Sequence, residues 1–175
     1  MAWNKKLAQI MGLLAVAVVV AACKVSLGLA PISSIDYNKV KTMQIVDFQN
    51  HAVYVYGPLA TTLNDKMKDM FMQQTRLQLV DNGGDIVIEG EITGYNQFNE
   101  AIDASGYSSK VRLTLTVQVT YTNNTNHEDD FENRTFSAFQ TYDASQLLTA
   151  VQDQLIEVMV KDISEQIFNS TVANW

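Results

Sequence analysis

Between Val111 and Thr120, apolar and polar residues alternate without a break. Val111, Leu113, Leu115, Val117 and Val119 interleave with Arg112, Thr114, Thr116, Gln118 and Thr120. A period of two places successive side chains on opposite sides of an extended chain, so this stretch is a β-strand with one dry and one wet or partner-covered face. A helix would scatter the same residues around its circumference. The chain therefore builds a sheet with one face to cover, and amphipathic elements elsewhere must cover it.

Two stretches have the necessary period. Leu59, Leu63, Met67, Met70 and Phe71 recur at i, i+4, i+8, i+11 and i+12, one face of a helix, with Asn64, Asp65, Lys66, Lys68 and Asp69 on the other side. The methionines read as core filling rather than a binding surface. Near the end, Leu147, Leu148, Val151, Leu155, Val158, Met159, Ile163 and Ile167 form a second stripe. Asp143 with Gln146 three residues on suits a capping box at the start of that helix.

Further strands surround these helices. Val40 to Phe48 mixes β-branched and apolar residues and reads as a first strand. Leu77–Val80 leads through Asp81-Asn82-Gly83-Gly84 into Ile86, which predicts a hairpin, because Asn-Gly tolerates the positive φ of a tight turn. Ile86, Ile88, Gly90, Ile92 and Gly94 then share the buried face of a strand, and glycines there predict a bulky body, a helix, lying close. Asn99 to Ser109 reads as a polar loop. Phe131 to Tyr142 reads as a strand whose apolar residues change parity between Phe131 and Phe136, the mark of a bulge. Layer logic makes this an α+β fold: a two-layer sandwich of two amphipathic helices packed on one face of a mostly antiparallel four- to five-stranded sheet.

The N-terminus reads as an address. Lys5 and Lys6 precede an unbroken apolar run, Ile10 to Ala22. That is short of the ~20 residues of a spanning helix and matches the core of a cleaved signal peptide. Val20-Ala21-Ala22-Cys23 resembles the bacterial lipobox, which implies cleavage before Cys23, diacylglycerol on its sulfur and acylation of the new amino terminus. Cys23 is the chain's single cysteine, so it has no intramolecular disulfide partner. The expected organisation is a signal peptide over 1–22, a lipidated tether over 23–34 broken by Gly28 and Pro31, and one α+β domain over 35–175.

Charge and chemistry exclude more than they suggest. Without residues 1–22 the chain has ten basic against nineteen acidic residues, a net charge of −9. That disfavours nonspecific nucleic-acid binding and docking on anionic headgroups by charge alone. His51 and His127 fall in separate loops and make no ligand pair, and no metal site, phosphate loop or nucleophile elbow is present in the sequence. Glu128-Asp129-Asp130 lacks the spacing of a calcium loop. No catalytic residue and no cofactor beyond a covalent lipid on Cys23 is expected, and a lipid-anchored hydrolase has no nucleophile–base set to support it.

The lipobox, Val40-Lys41-Thr42, the helix running into Phe71, Gly90-Glu91-Ile92-Thr93-Gly94-Tyr95, Thr135-Phe136-Ser137-Ala138 and the ending Val172-Ala173-Asn174-Trp175 together resemble the LptE family of lipopolysaccharide-assembly lipoproteins in its Bacteroidetes form. Val25-Ser26-Leu27 stands where that family has an aromatic Tyr-Ser-Phe-like phrase. The resemblance implies a non-enzymatic lipoprotein on the periplasmic face of the outer membrane. Such a protein supports and partly plugs the LptD β-barrel and helps insert lipopolysaccharide. Lys24 and the lack of an acidic run after Cys23 suit that location. Lys110 and Arg112, with Arg134 on a neighbouring strand, are the candidate contacts for lipid phosphates through charge-assisted hydrogen bonds. Another periplasmic adaptor, a secretin pilot or a peptidoglycan-synthase activator, also suits a small anchored domain.

Overall fold

The structure, a computed structural model, describes residues 35–54, 56–102 and 108–173. Cys23 and its tether lie outside the described residues. In chain order the elements are β1 (Thr42–Ile45), β2 (Gln49–Asn50), α1 (Pro58–Gln74), β3 (Gln78–Leu79), β4 (Ile86–Ile102), β5 (Ser108–Asn123), β6 (Phe131–Asp143) and α2 (Leu148–Thr171). The sheet has six strands in the order β3-β1-β4-β5-β6, with β2 also on β4. It is mixed. β1 pairs parallel with β3 and β4, and β2 parallel with β4, while β4, β5 and β6 form a long antiparallel meander.

The predicted hairpin around Asn82-Gly83 does not form. A turn is present, with Gly83 at φ +71°, but β1 lies between β3 and β4 and pairs with both. Asp85 holds it there. One carboxylate oxygen accepts the N–H groups of Lys41 (2.8 Å) and Thr42 (2.9 Å) and the Thr42 hydroxyl (2.9 Å). These bonds favour the ionised form and lower the carboxyl pKa of Asp85. An Asn-Gly turn thus survives while its strands find other partners.

The alternation in β5 is realised from Leu113 onward: Leu113, Leu115, Val117 and Val119 are completely buried, and Val111 is half-buried. They meet α1 and α2 across a core that includes Leu59, Leu63, Met67 and Phe71 from the first helix and Ile156, Met159, Ile163 and Ile167 from the second. Phe71 and Phe168 join the helices edge to face, 5.1 Å between centroids. The stripe of α1 is as expected, except that Asn64 is buried with it. Asn64 Oδ1 accepts the Phe48 N–H at 2.8 Å, and Nδ2 donates to the Phe48 carbonyl at 3.3 Å.

Three expectations shift in detail. Gly90 is crowded by Phe48 and not by a helix: a β-carbon there would press into the Gln118 carbonyl oxygen and lie 2.6 Å from Phe48 Cε1. Gly94 is not on the helix side, because a register shift between Ile92 and Gly94 puts Tyr95 inward and sets Gly94 against the Thr116 side chain. The second helix starts at Leu148 rather than Asp143, whose carboxylate instead accepts the N–H and hydroxyl of Ser145 in a turn before it. The bulge expected in β6 is present. Pairing slips between Val119–Arg134 and Tyr121–Phe131, and Asn133 takes up φ +50°.

Candidate functional site

The side of the sheet away from the helices carries the polar half of each strand. β5 contributes Arg112, Thr114, Thr116, Gln118 and Thr120, and their cross-strand neighbours on β6 are Thr141, Phe139, Ser137 and Thr135. On β4 the neighbours are Phe98, Asn96, Gly94, Glu91 and Glu89. None of these side chains is fully buried, and among the described residues no helix covers them. The result is a broad, hydroxyl- and amide-rich platform. Such groups satisfy water or a polar partner equally well, and they add little charge.

β4 and β5 run beyond the other strands. After the short parallel partners end at Ile92, β4 continues to Ile102 paired, among the described residues, to β5 alone, and its 17 residues extend about 55 Å. The sequence reading ended this strand early and placed a loop from Asn99. Its far half lacks apolar alternation because Asn96, Gln97, Phe98, Asn99 and Glu100 are all exposed.

Lys110 and Arg112 lie together on that far half of β5, opposite Asp143 and Thr141. Arg112 is engaged within the protein. Its guanidinium pairs with the Glu100 carboxylate and stacks over the Phe139 ring, 4.1 Å from the centroid. Phe98 is its neighbour on the other strand. Phe98 and Phe139 are 59% and 51% exposed, although the Arg112 guanidinium lies over the Phe139 ring. Phe98, Asn99, Glu100, Arg112 and Thr114 border a hollow of about 450 Å³. The Asp143 carboxyl is lowered in pKa by the Ser145 hydroxyl and N–H, with Lys110 adding a smaller electrostatic share. Two cations and two carboxylates therefore balance at this end of the platform.

Arg134 does not join them. It shares the parity of Phe136 and Ala138, which face the helices, and its guanidinium lies 5.2 Å from the Phe131 centroid and 5.7 Å from that of Phe136. Seven residues of β6 separate it from Thr141, the residue beside Arg112, or about 24 Å along the strand. The three candidate cations form a pair and a distant single residue. Sequence reasoning also missed Phe98, Glu100 and Phe139. The only available signal was an aromatic on each strand at the polar parity.

Other polar clusters are local. His51 Nδ1 meets Glu91 Oε2 at 2.6 Å, and His127 Nδ1 meets Asp130 Oδ2 at 2.7 Å. A groove of about 580 Å³ between α1 and α2 carries Asp65, Asp69, Glu157 and Asp162 with Lys66 and Lys161. Among the described residues no group of three or more His, Cys, Asp or Glu is placed to hold a metal ion, and no helix is long and apolar enough to cross a membrane.

A family model for lipopolysaccharide assembly, LptE, matches residues 40–171. No curated protein matches the sequence. Among solved structures, the fold is similar to lipoprotein B from Nitrosomonas europaea, with 17% identity and a TM-score of 0.50 over 73% of this chain and 79% of the other. It is also similar to the rare lipoprotein B from Shewanella oneidensis, with 14% identity and a TM-score of 0.51 over 73% of this chain and 92% of that one. At these identities the likeness speaks for the fold alone.

Proposed function

Because the chain belongs to the LptE family of lipopolysaccharide-assembly proteins, we propose that it is an outer-membrane lipoprotein, anchored through lipid on Cys23, that braces and partly plugs an LptD-like β-barrel. The observation that carries this reading is the uncovered platform of Thr114, Thr116, Gln118, Thr120, Thr135, Ser137 and Thr141. The lumen of a large barrel is polar and hydrated, so a wall of hydroxyls and amides keeps its hydrogen bonds there, and the neighbouring Glu89, Glu91 and Arg112 stay hydrated. The anchor keeps the domain at the periplasmic face, where two or more acyl chains hold firmly.

Lys110 and Arg112 are the proposed lipopolysaccharide contacts. A lipid phosphate would take the guanidinium from Glu100, exchanging one carboxylate for a bidentate phosphate pair. Phe98 and Phe139 lie where the fatty part of such a ligand would touch. Arg134 stands apart from this role. The protein carries out no reaction in this reading; it positions.

The test is affinity purification of the full chain from solubilised outer membranes, with mass spectrometry of what accompanies it. A stoichiometric barrel of LptD size supports the proposal, whereas a secretin or a peptidoglycan synthase in its place would overturn it. A Lys110→Gln/Arg112→Gln double variant should retain the barrel and bind lipopolysaccharide several-fold more weakly. Unchanged lipid affinity in that variant removes the two cations from the mechanism.

A further inference from the structure

The two edges of the sheet are treated differently. On one side the last strand is β3, two residues long, and the exposed part of β4 is broken by register shifts after Ile92 and after Asn99. Short strands and bulges are the ordinary protection of an edge against pairing with another chain. On the other side lies β6, which is 13 residues long and, among the described residues, paired on one side only. From Thr135 to Tyr142 it has no charge, no proline and no glycine.

The direction of its free backbone groups follows from its neighbours. The Gln118 carbonyl faces Gly90 and the Thr116 carbonyl accepts the Thr93 hydroxyl, so even-numbered residues of β5 point to β4. Odd-numbered ones then bond β6. Val117 pairs with Phe136 and Leu115 with Ala138, so the even residues of β6 bond inward and Thr135, Ser137, Phe139 and Thr141 point their N–H and C=O groups outward. The Ser137 carbonyl agrees, because Gln166 Nε2 reaches round from α2 to donate to it at 3.1 Å.

A second feature lies beside this edge. The apolar stripe expected on α2 is only partly buried. The core face is Gln152, Ile156, Met159, Val160, Ile163, Ser164, Ile167 and Thr171. Leu147, Val151, Leu155 and Val158 recur at i, i+4, i+8 and i+11 on its flank, with Leu147 76% and Val158 40% exposed. Val151, Leu155 and Val158 form one wall of a groove of about 460 Å³, whose other wall is Gln140, Thr141 and Tyr142 of β6.

We propose that the β6–α2 groove is a strand-addition site: an extended segment of a partner protein pairs with the outward backbone groups of Phe139 and Thr141 and lays alternate apolar side chains on Val151, Leu155 and Val158. The occupant's chemistry follows from the two walls. One wall offers the outward backbone donors and acceptors of Phe139 and Thr141, beyond which Gln166 already occupies the Ser137 carbonyl, and the other is an apolar stripe met by every second residue of an added strand. Lys110 and Asp143, both at the groove's end, offset each other in charge, so the segment need not be charged. A second copy of this chain fits badly. Its own β6 keeps Phe136, Ala138 and Tyr142 buried beneath its own α2, so that strand has no apolar side chains to offer the groove. The groove has the same two walls whether or not a barrel is the protein's partner.

The test uses the full chain in detergent micelles and an acetylated octapeptide of alternating valine and threonine, read by amide hydrogen exchange. In the free chain Phe139 and Thr141 should exchange quickly and Ala138 and Gln140 slowly. Millimolar peptide should slow Phe139 and Thr141 by about tenfold or more. The same peptide N-methylated at alternate residues should have no effect. Val158→Glu and Phe139→Pro should each weaken the protection; proline at position 139 removes an outward donor and no internal bond. Equal protection by the methylated peptide, or none by either, overturns the proposal. So does a row already protected in the free chain, whether dilution releases it (a second copy) or replacement of residues 24–34 by Gly-Ser releases it (the chain's own tether).

Discussion

Replacing Asn64 with alanine isolates one buried contact between the layers. Asn64 is 9% exposed and Phe48, whose backbone it binds, is 1% exposed. Its amide satisfies both the N–H and the C=O of Phe48, where the chain passes from β1 to β2 and pairs with neither. Asn64→Ala leaves a buried donor and a buried acceptor without partners, each costing about 1–3 kcal/mol. Alanine's better helix propensity returns roughly 0.6 kcal/mol. The net loss is about 1.5–5.5 kcal/mol. For a domain of this size each kcal/mol lowers Tm by about 3–4 °C, so thermal unfolding followed by circular dichroism should shift down by roughly 4–20 °C. Asn64→Asp sharpens the test. It keeps the acceptor for the Phe48 N–H but turns a second oxygen toward the Phe48 carbonyl, and burial raises its folded pKa above the unfolded value. An acid with a raised folded pKa costs stability once the pH exceeds the unfolded pKa, so this variant should lose stability as pH climbs from about 4 to 7. A Tm within about 3 °C of the parent for Asn64→Ala, or an Asp variant indifferent to pH, would refute the assignment of Asn64 as the bond between helix and strand.

Gly90→Ala should destabilise more than an ordinary surface change. The new methyl meets a backbone carbonyl that cannot turn aside, and the cost should be about 1–3 kcal/mol by urea unfolding at unchanged m-value. Asp85→Asn should flatten the acid limb of the stability curve. The folded pKa of Asp85 is depressed, so its contribution is complete above the unfolded pKa near 4 and is lost as pH falls through the folded value. Parent and variant should therefore converge on acidification, which parallel melts between about pH 2 and 6 would show. Arg112→Gln should leave Tm nearly unchanged, within about 1 kcal/mol, because an ion pair this exposed contributes little.

The sequence carried the layers but not the strand order. β5 was legible because its alternation is complete, and α1 because its face is regular. β6 was legible down to its bulge, since apolar residues can change parity within one strand only where an extra residue interrupts the pleat. The hairpin at Asn82-Gly83 misled because turn chemistry reports a local backbone angle, whereas pairing depends on which strand fits between its neighbours in three dimensions. β1, whose Thr42 lies 43 residues before Asp85, reached it through that carboxylate. Asn64 looked like surface because a polar side chain at the rim of a helical stripe says nothing about a backbone orphan waiting opposite. The site divides the same way. Lys110 and Arg112 share a face by period alone, but Glu100, Phe98 and Phe139 join them only through cross-strand register, which no single strand encodes.

The second helix shows why a misplaced stripe is informative. Its sequence contains two adjacent apolar rows, and periodicity cannot say which one the sheet takes. The fold buries the row that includes Gln152, Ser164 and Thr171, and each of these has a partner there. Gln152 donates to the Tyr95 hydroxyl at 2.9 Å, Ser164 to the Val160 carbonyl and Thr171 to the Ile167 carbonyl. Polar groups so satisfied cost little inside. The wholly apolar row, Leu147 to Val158, is left on the flank, where a chain folding for itself alone would gain by placing polar residues. Its position beside the uncharged edge residues Gln140, Thr141 and Tyr142 gives it a use: one surface supplies hydrogen bonds, the other apolar contact, and an added strand needs both.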